Sequence, residues 1–267
     1  MGHTRSIIAG IVLAAVQTAG AYAADLGLPP PPPEPEPCCT SNWYLKGFMG
    51  MTDYDVDSID TPVFNTADFT IFDTGFEASG FAGLGLGYEF NNWLRFDVTS
   101  EYRNRSTFHA LDAYEGGATF PPGTDQYTAT LKSWVSLANF YWDIGCWQGI
   151  TPYVGGGVGY SKNWIGDYTD VNVPNLGVAF ANTHAEGSFA WAVHAGLAYD
   201  VTERFTIDLA YRYLDIGDAQ SGTIHAYDNS SVAPGLEFDN IHSHDIMLAA
   251  RYKFGCCGNE PMPVSFK

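Results

Sequence analysis

Lysine and arginine are scarce in this sequence. They account for 12 of 267 residues, against 30 aspartates and glutamates, and the formal net charge is −18. Nucleic-acid binding depends on cations that displace the counterions of the phosphate backbone. We therefore expect no nucleic-acid partner.

Long hydrophobic runs are also lacking. The apolar run at residues 7–16 is shorter than the roughly 20 residues that a membrane-spanning helix needs. It follows His3 and Arg5 and precedes a small-x-small cleavage pattern at Ala21 to Ala23. These features predict a signal peptide over residues 1–23. No cysteine lies at the cleavage site, which argues against a lipid-anchored protein.

Without a transmembrane helix, a membrane protein of this sequence has to be a closed β-barrel. Only helices and closed barrels satisfy all their backbone polar groups in hydrocarbon. Glycine and aromatic residues are abundant, and β-forming blocks alternate with Gly, Asn, Asp and Pro. The proline-rich stretch 28–37 cannot donate a ladder of hydrogen bonds, so residues 24–42 are interpreted as a stiff periplasmic linker. A docking motif for a proline-binding partner is the alternative.

Eight strand-like blocks follow. They cover residues 43–52, 78–90, 93–108, 126–142, 151–165, 188–201, 205–216 and 241–254. Short connections alternate with long ones of about twenty residues, at 53–77, 109–125, 166–187 and 217–240, as in barrels with short periplasmic turns and long outer loops. We predict an all-β fold, an eight-stranded antiparallel up-and-down transmembrane β-barrel over residues 43–254. A tail at 255–267 and both termini would be periplasmic.

Alternation within the blocks predicts which face meets lipid. In the seventh block the large apolar residues Phe205, Ile207, Leu209, Tyr211 and Tyr213 alternate with Thr206, Asp208, Ala210 and Arg212. Such large aromatic residues from eight strands would overfill a narrow lumen, so we expect them to face lipid and the charges to lie inside. The phase of the fourth block stays open, because Val135 and Leu137 share a face with Asn139.

The alternation predicts a charged lumen. Its expected members are Lys46, Glu89, Arg95, Asp97, Glu101, Arg103, Asp208, Arg212, Asp245 and Arg251. Isolated buried charges are very costly, so these residues are expected to form an ion-pair network that fills the lumen. A wide pore is not expected, and a proton or ion pathway is the alternative.

Several segments resemble a known family. They are AADL after the cleavage site, WYLKGFMG, GFAGLGLGYEFNNWLRFDVTSEYR, TPYVGGGVGY, FTIDLAYRYLDIGD and HDIMLAARYKF. In this order they resemble the small eight-stranded outer-membrane proteins grouped with the OmpA-type transmembrane domain, OmpX and the opacity proteins, especially those of alphaproteobacteria. The resemblance implies a Gram-negative outer membrane, with lipid and lipopolysaccharide as neighbours and the barrel-assembly machinery as a partner during insertion. The last strand, ending in Phe254, resembles the family's C-terminal insertion signal, although residues 255–267 follow it.

Two segments suggest a ligand. Asp53, Asp55 and Asp57 begin like a calcium loop, but the run lacks the glycine and the closing glutamate of an EF-hand, so only weak cation binding is considered. His242 and His244 suggest a haem or metal contact, or a Ser/His pair acting on lipid. No acid is placed to orient such a pair, and a simple strand end is the favoured interpretation. We expect no catalytic residues, no metal and no cofactor.

The cysteines lie near the predicted periplasmic ends. They are Cys38, Cys39, Cys146, Cys256 and Cys257. The periplasm is oxidising, and the first and last strands of a closed barrel are neighbours, so one or two disulfides could join the barrel seam. The pairing cannot be read from the sequence. Metal binding by the two cysteine pairs is the alternative.

The function expected from these features is structural. The protein would support envelope integrity and surface interactions without catalysis. The alternatives are a haem- or cation-binding receptor, a narrow channel and a lipid-modifying enzyme.

Overall fold

Antiparallel strand pairing runs through most of residues 43–60, 69–116 and 121–254, which are the residues that the computed structural model describes. The predicted signal peptide, linker and C-terminal tail lie outside these residues. No helix of the described part is long and apolar enough to cross a membrane.

The described residues form twelve strands. They are β1 (Trp43–Asp60), β2 (Phe69–Phe76), β3 (Ser79–Asn91), β4 (Leu94–Tyr114), β5 (Gly123–Asp143), β6 (Ile150–Asn172), β7 (Gly177–Ala181), β8 (His184–Asp200), β9 (Phe205–Gln220), β10 (Ile224–Ala226), β11 (Val232–Ala233) and β12 (Glu237–Lys253).

Eight of these strands close into a ring. Strands β1, β3, β4, β5, β6, β8, β9 and β12 pair in that order, each antiparallel to its neighbour. The ring closes where β12 pairs with β1, from Tyr44 opposite Lys253 to Asp60 opposite Glu237. The predicted eight-stranded antiparallel barrel is confirmed.

The four remaining strands lie at the long-loop end of the barrel, where the sequence predicted irregular loops. The prediction of loops was wrong for much of these segments. Besides the four short strands, three strands of the ring extend into them: β1 continues to Asp60, β4 to Tyr114 and β6 to Asn172. Polar side chains bond across these strands, as the Thr128 and Thr169 hydroxyls do at 2.7 Å. A backbone ladder needs no apolar alternation, so hydrophobic periodicity could not detect these extensions.

The alternation of faces follows the prediction in β4 and β9, and it also resolves β5. Trp134, Phe140 and Trp142 of β5 are exposed on the outer wall, whereas Val135 and Leu137 are buried inside. The outer wall therefore carries a continuous apolar belt along the ring.

The expectation that large aromatic residues stay out of the lumen was wrong. Tyr44, Phe48, Phe81, Tyr141 and Tyr153 are buried inside the barrel. Glycines on facing strands make the room for them. A Cβ at Gly83 would lie only 2.5 Å from the Phe48 ring, and one at Gly87 would collide with the ring of Tyr44. The rings fit because the facing strand carries no side chain at these positions.

Candidate functional site

The structure places all ten ionisable residues of the predicted lumen set on the inner wall. Nine of them are buried, and the Glu89 side chain is 10% exposed. They form two groups along the barrel axis.

The first group, the central ion cluster, consists of Glu101 and Arg103 on β4, Arg212 on β9 and Asp245 on β12. Arg103 donates to Asp245 at 2.7 Å and to Glu101 at 2.9 Å. Arg212 donates to Glu101 at 2.7 Å and to Asp245 at 2.8 Å. Two cations and two anions thus neutralise one another, with each acid shared between both arginines.

Arg103 has further polar neighbours. It donates to the hydroxyls of Tyr54 at 2.7 Å and Ser243 at 3.0 Å, and to that of Thr52. The guanidinium offers five N–H donors. The three hydroxyls and the two carboxylates together accept hydrogen bonds from all three of its nitrogens. Strands β1, β4 and β12 are tied together at this residue.

The second group lies nearer the short-turn end. Asp97 accepts hydrogen bonds from Lys46 at 3.1 Å and Asn139 at 2.8 Å. Arg251 pairs with Asp208 at 2.8 Å and with Glu89 at 3.3 Å. These pairs also neutralise charge locally, so the short-turn half of the lumen is polar but balanced.

Sequence reasoning missed three titratable members of the second group. Lys253 pairs with Glu89 at 3.0 Å, Asp143 accepts from Arg95 at 3.1 Å, and buried His194 lies 3.1 Å from the amide oxygen of Asn139. Lys253 has the same parity as Arg251 and could have been found by alternation. Asp143 could not, because the phase of its strand was open.

The centre of the outer half of the lumen is filled by apolar side chains, which the sequence did not predict. The rings of Phe76, Phe108 and Phe238 meet at its centre, with centroids 5.0 to 5.8 Å apart. Leu131, Ile165, Leu214 and Ile241 surround them, each no more than 1% exposed. This set is called the apolar plug below. It lies directly beyond the central ion cluster.

Three acids line the inside of the long-loop rim beyond the plug. Asp112 and Asp125 are directly paired across β4 and β5, and Asp112 accepts a hydrogen bond from Tyr127 at 3.0 Å. Burial, followed by repulsion from Asp125 and Asp112, raises the pKa of Asp170 from 3.8 to about 7. Asp170 therefore exchanges its proton near neutral pH.

The two ligand candidates of the sequence meet on the outer wall. Asp53 is paired with His244, and Asp55 with His242, across β1 and β12. His244 lies 2.6 Å from the hydroxyl of Tyr211. We call this surface the histidine patch; its members are Asp53, Asp55, Asp57, Tyr211, Tyr213, His242 and His244.

The histidine patch contains no Ser/His pair. Ser243 points into the lumen, where it bonds to Arg103 and Asp245, while its neighbours His242 and His244 point outward. Alternate residues of a strand face opposite sides, so the hydroxyl and the imidazoles cannot meet. The described residues contain no group of three or more His, Cys, Asp or Glu arranged to hold a metal ion.

Of the five cysteines, only Cys146 lies in the described part of the chain. It is a partly exposed free thiol in the turn after β5. The disulfides considered for Cys38, Cys39, Cys256 and Cys257 fall outside the described residues and stay a prediction.

Comparison with known proteins agrees with this architecture. The chain is 26% identical to an uncharacterized protein of Brucella abortus, over 93% of this chain and 96% of that one. It is 26% identical to the outer membrane protein PagN of Salmonella typhimurium, over 64% of this chain and 72% of that one.

The structure is similar to that of the outer membrane protein OprG from Pseudomonas aeruginosa. The TM-score is 0.50 at 15% identity, over 82% of this chain and 99% of that chain. The family model of the outer membrane protein beta-barrel domain matches residues 11–254. The chain therefore belongs to the outer membrane protein beta-barrel domain family and is a protein of the bacterial outer membrane.

Proposed function

We propose that this protein is a structural, non-conducting barrel that supports the integrity of the outer membrane and presents an acidic surface to the outside. One observation carries the proposal: side chains fill the lumen at two levels, the balanced ion pairs at one and the apolar plug at the other.

The order of the two layers opposes ion flow. An ion in the central ion cluster would have to displace one partner of a neutral, buried pair. Beyond it, the aromatic and aliphatic side chains of the plug carry no polar atoms to replace the ion's hydration shell. Both steps carry a large desolvation penalty. The protein therefore serves as a membrane-spanning wall rather than as a pathway.

The long-loop end supplies the surface. In outer-membrane barrels this end faces the outside. Its exposed acids include Asp53, Asp55, Asp57, Asp73 and Glu77. Such a field favours a basic partner or divalent cations over an anionic one.

A deletion strain tests the structural role. We expect loss of the gene to increase uptake of a hydrophobic dye and sensitivity to a large antibiotic, and the wild-type gene to restore the barrier. Lipid A mass spectra should stay unchanged. An altered lipid A acyl pattern in the deletion strain would instead favour a lipid-modifying enzyme, and an intact barrier would contradict the structural role.

A haem- or cation-binding receptor is the second candidate, because the histidine patch joins two imidazoles, two tyrosine rings and three carboxylates on one surface. Hemin titration of the folded protein, followed by absorbance, tests it. Binding lost in His242→Ala/His244→Ala but kept in His225→Ala would support the receptor. Equal spectra for the wild type, the double variant and His225→Ala would exclude the histidine patch as the haem-binding site.

A further inference from the structure

The outer wall carries a basic surface at the upper edge of its apolar belt. Arg105 on β4, Lys132 on β5 and Lys162 on β6 point outward from three adjacent strands. Every other lysine and arginine of the described residues lies in the lumen or, for Arg204, in a turn at the opposite end: Lys46, Arg95, Arg103, Arg204, Arg212, Arg251 and Lys253. In the described part of a chain whose net charge is −18, the cations of the outer wall thus lie together at one place.

The register of the strands brings these three residues together. Lys132 is paired with Trp164, and Trp134 with Lys162, so cations and indoles alternate across β5 and β6. A β-bulge between Arg103 and Ser106 sets Asn104 and Arg105 opposite the single residue Lys132. The Lys162 ammonium lies 5.5 Å from the Trp164 ring centroid. We call Arg105, Lys132, Trp134, Lys162 and Trp164 the basic belt edge.

Its height on the barrel matches the boundary of the membrane. On β5 the outward apolar residues run from Trp142 to Trp134, and residues 134–142 correspond to the roughly 9–11 residues that cross the hydrocarbon core. Lys132 is the next outward residue, and Lys162 follows Tyr160 in the same way on β6. The cations therefore lie where lipid headgroups begin.

The charges of the basic belt edge are largely uncompensated. Within the described part of the chain, neither Lys132 nor Lys162 has a carboxylate within 4 Å, in contrast to the lumen cations. Arg105 pairs with Asp167 at 3.2 Å, but both side chains are more than half exposed, so that pair is weak. Across the barrel at the same edge lies the histidine patch, which carries acids.

We propose that the basic belt edge binds the phosphate groups of lipid A, the phosphorylated glycolipid of the outer leaflet. The ammonium and guanidinium groups meet the phosphates, and the indoles of Trp134 and Trp164 lie beside the sugar and the first acyl carbons. The positive charge of the basic belt edge faces the negative charge of the outer leaflet. The basic belt edge also continues the lipid-facing apolar belt without a break. The inference rests on the outer-membrane location and not on the sealed lumen, so either can fail without the other.

The test uses the full mature chain folded in detergent micelles and titrated with lipid A, followed by native mass spectrometry. We expect bisphosphorylated lipid A to bind at least about tenfold more tightly than the same lipid without its phosphates. Each juxtamembrane cation contributes about fivefold in affinity, so Lys132→Ala/Lys162→Ala should weaken binding by about 25-fold. Lys132→Arg/Lys162→Arg should keep it.

Arg204→Ala is the matched control, because it removes one exposed cation at the opposite end, and it should bind like the wild type. Heat-dependent gel migration checks that each variant is folded. Equal affinity of the wild type for lipid A with and without phosphates would overturn the proposal, as would binding by the folded double alanine variant that equals that of Arg204→Ala. A third outcome would also overturn the proposal: sucrose octasulfate binds to the basic belt edge, while lipid A binds equally well with and without its phosphates. The surface would then bind a soluble anionic polysaccharide instead.

Discussion

At the residue scale, Arg103 shows most clearly how the lumen is held. It bonds to two carboxylates and three hydroxyls from β1, β4 and β12, and it is fully buried. Removing one partner of a buried ion pair leaves an uncompensated charge, which costs more than the pair itself contributes.

We therefore predict that Arg103→Ala destabilises the barrel by about 3–5 kcal/mol. Arg105→Ala, two positions later and exposed, should cost about 0.5 kcal/mol or less. Urea unfolding in phosphatidylcholine vesicles, followed by tryptophan fluorescence, measures both. Equal free energies of unfolding for the two variants would show that the central ion cluster does not stabilise the fold.

Asp170 gives a prediction in pH. Its pKa is raised by burial to about 7, so the folded protein holds this proton more tightly than the unfolded chain. Between the ordinary value of 3.8 and about 7, stability falls as pH rises, and above that range the loss is complete.

Asp170→Asn should remove this loss. The variant should be more stable than the wild type at pH 8 by about 1–3 kcal/mol, and the difference should shrink towards pH 4. Unfolding curves across this pH range measure it. Asp228→Asn is the control: this exposed acid of the same end has its pKa lowered by hydrogen bonds with Ser230, so the variant should not gain stability towards pH 8. A constant difference at every pH would contradict the raised pKa.

Single residues also show how far the sequence predicted the site. Alternation assigned Arg95, Asp97, Asp208 and Arg212 to the lumen, because a charged side chain cannot face hydrocarbon. It could not assign partners, since Glu101 meets Arg212 from a strand on the other side of the barrel. Pairing across a lumen depends on shear and tilt, which a sequence pattern does not contain.

At the element scale, the strands extend well beyond the lipid belt. Strands β4 and β5 stay paired from Leu94 opposite Trp142 to Tyr114 opposite Gly123. Twenty-one residues in each strand exceed what a membrane crossing requires. The outer ends of β4 and β5 therefore belong to a folded rim and not to a loop.

Hydrogen exchange tests this rim. Backbone amides at 107–114 and 124–130 should exchange slowly, because they are bonded across the ladder. Amides of the short turn around Glu203 and Arg204 should exchange quickly. Fast exchange throughout 109–114 would mean that the rim opens as a loop, as the sequence alone suggested.

The rim also explains what periodicity missed. In β5, Gly123, Thr124 and Asp125 carry no apolar alternation, so hydrophobicity placed the start of the strand at Gln126, which is too late. The strand continues because its backbone bonds to β4 and β6 on both sides, from Asp125 opposite both Asp112 and Asn172. Strand pairing, a non-local property, outweighs the local preference of these residues.

At the scale of the whole molecule, the barrel itself was predictable and its filling was not. Eight blocks with alternating faces and alternating connection lengths lead directly to a closed antiparallel ring. The apolar plug arises where Phe76, Phe108 and Phe238 come together from β2, β4 and β12. No local pattern marks these phenylalanines as inward. The sequence therefore suggested that they lie in loops or face lipid.

The central claim is that this barrel is sealed. Current recorded across a planar bilayer containing the full mature chain tests it most directly, with a wide water-filled porin added afterwards as a positive control. The sealed lumen predicts no current steps from the protein before the porin is added. Uniform, repeatable steps from the wild-type protein alone would show an open path through the ion pairs and the plug, and would contradict the account.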